Sequence, residues 1–255
     1  MIHGDKMVLM LTMAGEYSRF KEFSYAIPKY LLPLSNRTIL HHILSSFRDT
    51  NMFNEVILVA NKKDMRFHSQ ISRTLEEFNF PRKHITFIDD TLGQSVTAVE
   101  GLKFLKGETS FEQPLTVHNI DTILLNRNFK SISNRLTHSD CIIDVFSANN
   151  EAYSYVLTDG DTVSTIVEKQ LVSDMASSGC YFFKDLNLAF DYLSDSDNYY
   201  ISNSIMKMIK DGLKVKITST STGNDTFVLG TPQEYINSMG FFDLKIHDSQ
   251  HKNTT

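Results

Sequence analysis

Met7-Val8-Leu9-Met10-Leu11-Thr12-Met13-Ala14-Gly15-Glu16-Tyr17-Ser18-Arg19-Phe20 is the stretch that decides the fold. Its first half is a nearly unbroken apolar run, the pattern of a parallel strand buried on both faces. It passes directly into a glycine-containing turn followed by an arginine. In open α/β sheets the turn at the carboxyl end of such a strand is where ligands bind. Backbone N–H groups there can meet phosphate oxygens, and Arg19 adds a two-pronged charged contact. Taken alone the turn is also an ordinary loop, and it matches neither a Walker A sequence nor a dinucleotide fingerprint.

Working outward, short apolar runs alternate with helical patterns through the first half of the chain. The runs are Glu55 to Ala60, His84 to Ile88 and Leu115 to His118. Between them Ile39, Leu40, Ile43, Leu44 and Phe47 share one helical face, and Val96, Val99, Leu102 and Leu105 another. This half reads as doubly wound α/β. The second half changes style. Cys141 to Phe146, Ala152 to Leu157 and Thr162 to Val167 read as strands, the last two joined across Asp159-Gly160-Asp161, and a further strand runs from Gly179 to Phe183. A helix around Ile201 to Asp211, closed by Gly212, precedes a strand from Lys214 to Thr218. The sheet is therefore expected to be mixed. Thr231-Pro232-Gln233-Glu234 joins an N-cap hydroxyl, a proline at the first helical position and a glutamate three residues after the cap, which starts a helix. Beyond about Phe242 the chain turns polar and His-rich and reads as a frayed tail.

Composition narrows the function. The 255 residues are 41% hydrophobic, with only 5 prolines and 11 glycines, enough apolar material for a sizeable core without a mark of disorder. A net charge of -5 argues against a surface built for nucleic acid, which leans on excess Lys and Arg. A small anionic substrate needs only a few well-placed cations. Cys141 and Cys180 sit in apolar runs without metal or redox spacing and read as buried structural thiols. No run approaches about 18 apolar residues and no secretory pattern opens the chain, so a cytoplasmic protein without a membrane partner is expected.

The next stretch is more specific. Pro28-Lys29-Tyr30-Leu31-Leu32-Pro33-Leu34 follows the loop by about ten residues, and Ser35-Asn36-Arg37-Thr38-Ile39-Leu40 follows it in turn. With these, the chain resembles the sugar-phosphate nucleotidylyltransferases, whose first strand leads into A-G-x-G-[ST]-R-[LF], then P-K-x-L-[LIV]-P and a helix near G-K-P-[LM]. The resemblance extends to about residue 240. Leu92-Gly93-Gln94-Ser95-Val96-Thr97-Ala98 is similar to the G-T-A segment, His118-Asn119-Ile120-Asp121 to the strand end that carries a metal-binding aspartate, and Glu168-Lys169 to E-K-P. Ser178-Gly179-Cys180-Tyr181 is similar to N-x-G-x-Y, and Leu229-Gly230-Thr231-Pro232 to the late G-T-P helix start.

The resemblance implies a Rossmann-like, glycosyltransferase-A-like α/β fold with a mostly parallel, mixed central sheet flanked by helices. It implies one nucleotidyltransferase domain over 1–242 with a polar tail over 243–255. It also implies roles. Ala14, Gly15 and Glu16 would lie along the triphosphate, and Gly93, Gln94 and Asn119 would complete the nucleotide site. Arg19 would stabilise departing pyrophosphate, Lys29 would bridge the α-phosphate and the incoming phosphate, and Lys169 would meet the acceptor phosphate. Glu168 and Gly179 would contact the acceptor. Asp121 would hold Mg²⁺, a hard cation that prefers oxygen, with Asp225, the nearest carboxylate to the second metal position, as the expected partner. Each has a plainer reading: Lys29 as a surface lysine, Asp121 as a cap, Glu168 and Lys169 as a hairpin end, Gly93 and Gly179 as tight backbone.

Departures fall at named positions. Tyr17 stands where the loop has its second glycine, so the backbone is displaced there or the ring covers part of the nucleotide site. Val228 stands where the late metal aspartate belongs, with Asp225 the nearest carboxylate in sequence. No proline follows Lys169, and no asparagine precedes Ser178-Gly179. The expected activity is transfer of a nucleoside monophosphate, CTP being the favoured donor, to a small phosphorylated acceptor such as a sugar phosphate or other cell-surface precursor. Two other readings stay open: a weakened relative that senses nucleotide-linked metabolites, and a glycosyltransferase using a nucleotide sugar. A homo-oligomer is compatible with all three.

Overall fold

A computed structural model describes residues 6–15, 17–49, 51–195, 199–219 and 225–252. In chain order its first half comprises β1 (Met7–Met13), α1 (Ser18–Glu22), β2 (Pro33–Leu34), β3 (Arg37–Thr38), α2 (Ile39–Ser46), β4 (Phe53–Asn61), α3 (His68–Glu76), β5 (Arg82–Ile88), α4 (Gln94–Leu105), β6 (Leu115–Asn119) and β7 (Thr122–Leu124). There follow α5 (Phe129–Leu136), β8 (Cys141–Ser147), β9 (Ser154–Asp159), β10 (Thr162–Glu168), β11 (Met175–Phe183), α6 (Leu186–Leu193), α7 (Ile201–Lys210), β12 (Val215–Ile217), β13 (Thr226–Val228) and α8 (Pro232–Lys252).

Every residue of β1 is buried, as its apolar run predicts. Because side chains alternate across a strand, Met7, Leu9, Leu11 and Met13 enter one core while Val8 and Met10 enter another on the opposite face. The first core packs under α2 and α3, with Ile43, Leu44, Ile71 and Leu75. The second packs under α4, α6 and α7, with Leu102, Ala189 and Ile205. β1 is thus a central strand, and it pairs in parallel with β4 and β6.

The nine-stranded sheet runs β5-β4-β1-β6-β11-β8-β12-β10-β9. β5, β4, β1 and β6 are parallel neighbours. β11 enters antiparallel between β6 and β8, and β10 is antiparallel to both β12 and β9. The sheet is therefore mixed with a predominantly parallel sense, a Rossmann-like α/β arrangement flanked by helices. Cys141 and Cys180 are both buried and unpaired, in keeping with structural thiols. Among the described residues no helix is long and apolar enough to cross a membrane.

The polar segment after Phe242 is helical through Lys252, and residues 253–255 of the expected tail lie outside the described residues. The cap explains the start of this helix: the Glu234 amide donates to Thr231 Oγ1 at 3.1 Å, and the Thr231 hydroxyl donates to Glu234 Oε2 at 3.0 Å. Once nucleated, each further residue adds one backbone bond, so polar composition alone does not end the helix.

Candidate active site

The loop after β1 begins at Ala14, whose carbonyl accepts from Asn61 Nδ2 at 3.0 Å. Around Gly15 the space is open: an added Cβ would meet no protein atom within 4 Å. Glu16 lies outside the described residues. Tyr17 resolves the question posed by its departure from glycine, because it takes the left-handed conformation itself, with φ 40 and ψ 38. For a residue with a Cβ this costs about 1–2 kcal/mol. Tyr17 offsets it through its hydroxyl, which donates to Asp64 Oδ1 at 2.7 Å, a hydrogen bond to a charged acceptor contributing about 1.5–3 kcal/mol.

Lys29 opens a single 3₁₀ turn, Lys29–Leu31, behind Pro28. The proline fixes the chain's approach, the apolar residues after it bury, and the ammonium is left facing the sheet. It donates to Asp121 Oδ2 at 2.6 Å, joining residues 92 positions apart; the side chains are 15% and 26% exposed. Asp121 lies just beyond the carboxyl end of β6. Burial works to raise its carboxyl pKa, but the Lys29 ammonium, by charge and hydrogen bond, together with smaller contributions from His118 and Thr122, holds it below the usual carboxylate range. The plainer reading of Lys29 as a solvated surface lysine is excluded by this contact.

The two aspartates expected to hold a metal lie apart. β13 and β7 form a two-stranded ribbon in which Val228 pairs with Thr122 and Thr226 with Leu124. At about 3.4 Å per residue, Asp225 stands roughly 10 Å along the strand from Val228. There its carboxylate accepts from Asn126 Nδ2 at 3.2 Å, and its carbonyl accepts from the Leu125 amide at 2.8 Å. Asp225 therefore does not stand beside Asp121. Glu234 does: a Cβ placed on Gly230 would lie 3.4 Å from Glu234 Oε2 and 3.5 Å from Asp121 Oδ2. Two carboxylates facing one point of backbone fit a hard divalent cation completed by phosphate oxygens and water. Among the described residues no group of three or more His, Cys, Asp or Glu side chains forms a closed cage.

Two adjoining cavities surround this pair. A smaller one, about 300 Å³, is lined by Gly15, Tyr17, Lys29, Gly93, Gln94 and Asp121. A larger one, about 540 Å³, is lined by Arg19, Asn119, Asp121, Glu168, Gly179 and Glu234, with Tyr153 and Tyr200 among the rest. Gln94, Asn119, Asp121 and Tyr200 line both. The walls are tightly fitted. Gly93 caps α4, and a Cβ there would stand 2.1 Å from the Tyr199 carbonyl oxygen. Gly179 has φ +80 at an irregularity in β11 between Ser177 and Tyr181. Gln94 Nε2 donates to its carbonyl at 3.4 Å. Beside it Asn119 Oδ1 and Ser178 Oγ are buried without a hydrogen-bond partner among the described residues.

Glu168 and Lys169 are placed differently from each other. Glu168 Oε2 accepts from Ser202 Oγ at 2.9 Å and from Ser154 Oγ, bridging β9 and α7 at the cavity wall. Lys169, with φ 54, lies outside both sets of lining residues, but its ammonium is 3.3 Å from the Tyr200 hydroxyl and 5.1 Å from that ring's centre. The structure thus brings together Gly15, Arg19, Lys29, Gly93, Gln94, Asn119, Asp121, Glu168 and Gly179 around the two cavities, buries Ala14 behind them, keeps Lys169 at the margin and leaves Asp225 out. Sequence reasoning missed Asp64, which carries no motif, and saw Glu234 only as a capping residue.

The comparisons with known proteins bear on the family and the fold. The model of the nucleotidyl transferase family matches residues 8–241. A curated relative, the bifunctional enzyme IspD/IspF of Pelagibacter ubique (strain HTCC1062), is 23% identical over 241 residues; the match takes in 91% of this chain, which spans 57% of the relative's length. A nucleoside-diphosphate-sugar pyrophosphorylase from Vibrio cholerae RC9 superimposes with TM-score 0.78 at 23% identity, covering 90% of this chain and 98% of that one. A UTP-bound UGPase from Acinetobacter baumannii gives 0.72 at 15%, covering 94% of each. The structural likenesses bear on the fold, and the family match spans both the strand-end loop and the Lys29–Asp121 pair. The chain belongs to the nucleotidyl transferase family.

Proposed function

We propose that the protein transfers a nucleoside monophosphate from a nucleoside triphosphate to a small phosphorylated acceptor, releasing pyrophosphate. The observation that carries this reading is the Lys29–Asp121 pair where the two cavities meet. The nucleotide occupies the smaller cavity, with its α-phosphate at the pair, and the acceptor occupies the larger. An acceptor phosphate oxygen forms a bond to the α-phosphorus as the bond to the β-phosphate oxygen breaks. The electron pair leaves with pyrophosphate and no proton need move. Catalysis then rests on positioning and charge neutralisation, which Lys29 supplies between two anions and Arg19 from the wall of the larger cavity.

Mg²⁺ is the cation this donor set suits, held by Asp121 with Glu234 as the nearer second carboxylate; when bound it neutralises charge on the triphosphate. The orphaned Asn119 Oδ1 and Ser178 Oγ support an acceptor with hydroxyl groups, such as a sugar phosphate. CTP is the donor we favour from the sequence resemblance, with the Gln94 amide, both donor and acceptor, as the base reader.

Pyrophosphate release across four nucleoside triphosphates and a panel of phosphorylated acceptors tests the reading. Turnover is expected with at least one pair, and Lys29→Ala and Asp121→Ala should each lower it about 10²–10³-fold while the fold persists. Near-normal turnover in both variants would sink it. Saturable nucleotide binding with no turnover for any acceptor would assign the protein as a sensor instead, and a product carrying the sugar without its nucleotide would assign it as a glycosyltransferase.

A further inference from the structure

The segment leaving the carboxyl end of β4 as a 3₁₀ helix, Lys62–Phe67, together with Asn61 before it, grips both stretches that build the smaller cavity. Asn61 Nδ2 donates to the Ala14 carbonyl at 3.0 Å, where the phosphate loop begins. Asp64, 1% exposed, accepts from two tyrosines: Tyr17, in the loop, at Oδ1 and 2.7 Å, and Tyr30, beside Lys29, at Oδ2 and 2.8 Å. Arg66 Nη2 donates to the Ala26 carbonyl at 3.2 Å, two residues before Pro28. Asn61 is itself braced, since its Nδ2 also donates to Asp90 Oδ1 at 2.8 Å and its Oδ1 accepts from the Lys63 amide at 2.9 Å. Asn61, Asp64 and Arg66 are absent from the lining of both cavities, so they act through the residues they hold.

A glycine at position 17 would take the left-handed backbone freely but would tether nothing. Tyr17 takes the same backbone and adds a tether. We propose that Asp64 is a positioning residue for nucleotidyl transfer: one buried carboxylate that holds the phosphate loop, through Tyr17, in register with Lys29, through Tyr30. Burial first, and the Asp64 carboxylate after it, push both tyrosine hydroxyls well above their ordinary range, so both stay protonated and donate at any working pH. The Tyr17 departure is on this view a replacement of backbone freedom by side-chain anchoring, and it explains how the loop keeps its shape without the second glycine.

The catalytic consequence rests on the proposed activity, whereas the anchoring can be read without it. Hydrogen exchange on the full ligand-free chain should show Tyr17→Phe speeding exchange about tenfold in the peptide 14–22 alone, Tyr30→Phe in 26–32 alone, and Asp64→Asn in both. Adding Tyr17→Phe to Asp64→Asn should change the first peptide no further. In turnover, Tyr17→Phe should raise the KM for the nucleotide with kcat largely kept, and Tyr30→Phe should lower kcat with KM largely kept. Wild-type exchange in both peptides for the two phenylalanine variants overturns the proposal, as does an equal rise throughout β1 and β4. If Asp64→Asn does not fold, the two phenylalanine variants decide. Selective exchange changes in a protein that transfers to no acceptor would keep the anchor and remove the activity.

Discussion

Gly179 shows how narrow the tolerances at the site are. Its φ of +80 favours a residue without a side chain, and an added Cβ would stand 2.0 Å from Asn119 Nδ2. Gly179→Ala thus carries the left-handed penalty of about 1 kcal/mol and must also push aside Asn119, which donates to the Ser178 carbonyl at 3.3 Å. We expect the variant to fold with a lowered melting temperature and to lose at least about tenfold in transfer, with the KM for the acceptor raised, by pyrophosphate release and thermal melting. Unaltered acceptor kinetics would remove Gly179 from the acceptor wall. At this scale Lys29, Asp121 and Gly179 were legible because each sits in a motif with neighbours of fixed spacing. The second carboxylate was not. Asp225 is nearest in sequence to the position that Val228 occupies, but a strand carries it away along the ribbon, whereas the first turn of α8 brings Glu234 back over Gly230.

Among elements, the β7–β13 ribbon does most to set the site, since it carries the chain on either side of Asp121 and Gly230. It is tied to the sheet by Arg127, whose Nε and Nη2 donate to the two oxygens of Asp144 on β8, each at 2.9 Å. The pair is almost dry, with side chains 5% and 0% exposed. Arg127 also donates to the Leu125 and Asp225 carbonyls, at 2.9 and 3.1 Å, so one guanidinium serves both strands of the ribbon. Arg127→Met should cost about 3–5 kcal/mol in denaturant unfolding, because Asp144 is left charged and buried. Arg127→Met combined with Asp144→Leu should recover a large part of that loss. A cost below about 1 kcal/mol for the single variant would show that the ribbon is held otherwise. Neither strand of the ribbon was legible in the sequence: each is three residues long, too short for a period of two to register. The helices α3, α5 and α6 were missed for a related reason. In α5 the buried residues are Phe129, Ile132, Ser133 and Leu136 over eight positions, a face too brief to stand out, although Asn128 accepts from the Ser131 amide at 2.9 Å as a cap should.

For the molecule as a whole, the legible feature was the central sheet, because strands buried on both faces leave long apolar runs. The cavities lie where β1 and β6 end, on the edge of the sheet that α/β proteins use for ligands. That placement makes the end of β6 a point where stability and activity share one residue, His118. Its ring is buried between the sheet and Phe47, with centroids 5.2 Å apart, and its Nε2 lies 2.8 Å from the Thr122 carbonyl. A carbonyl only accepts, so Nε2 carries the proton, and Nδ1 is buried without a partner among the described residues. Burial, opposed by the Thr122 contact and the nearby Asp144 and Asp121 carboxylates, pulls the imidazole pKa down to about 4 from an ordinary 6.5. Between those two pH values the unfolded chain binds a proton that the folded chain does not. Stability must therefore rise with pH across this window and level off above it, by up to about 3 kcal/mol from this group. His41, lowered by partial burial and then by Arg37, contributes in the same sense. Asp121, Asp90 and Asp161 have lowered carboxyl pKa values, and their contributions are lost only in more acid solution. Replacing His118 with leucine should flatten the rise between pH 4 and 6.5 in denaturant unfolding and leave a smaller residual slope from His41. Because Asn119 follows His118 directly and Asp121 is three residues on, the loss of stability in acid falls on the strand end that carries them, and transfer by the wild type should fall over the same acid range. A slope as steep in the leucine variant as in the wild type would place the titrating group elsewhere.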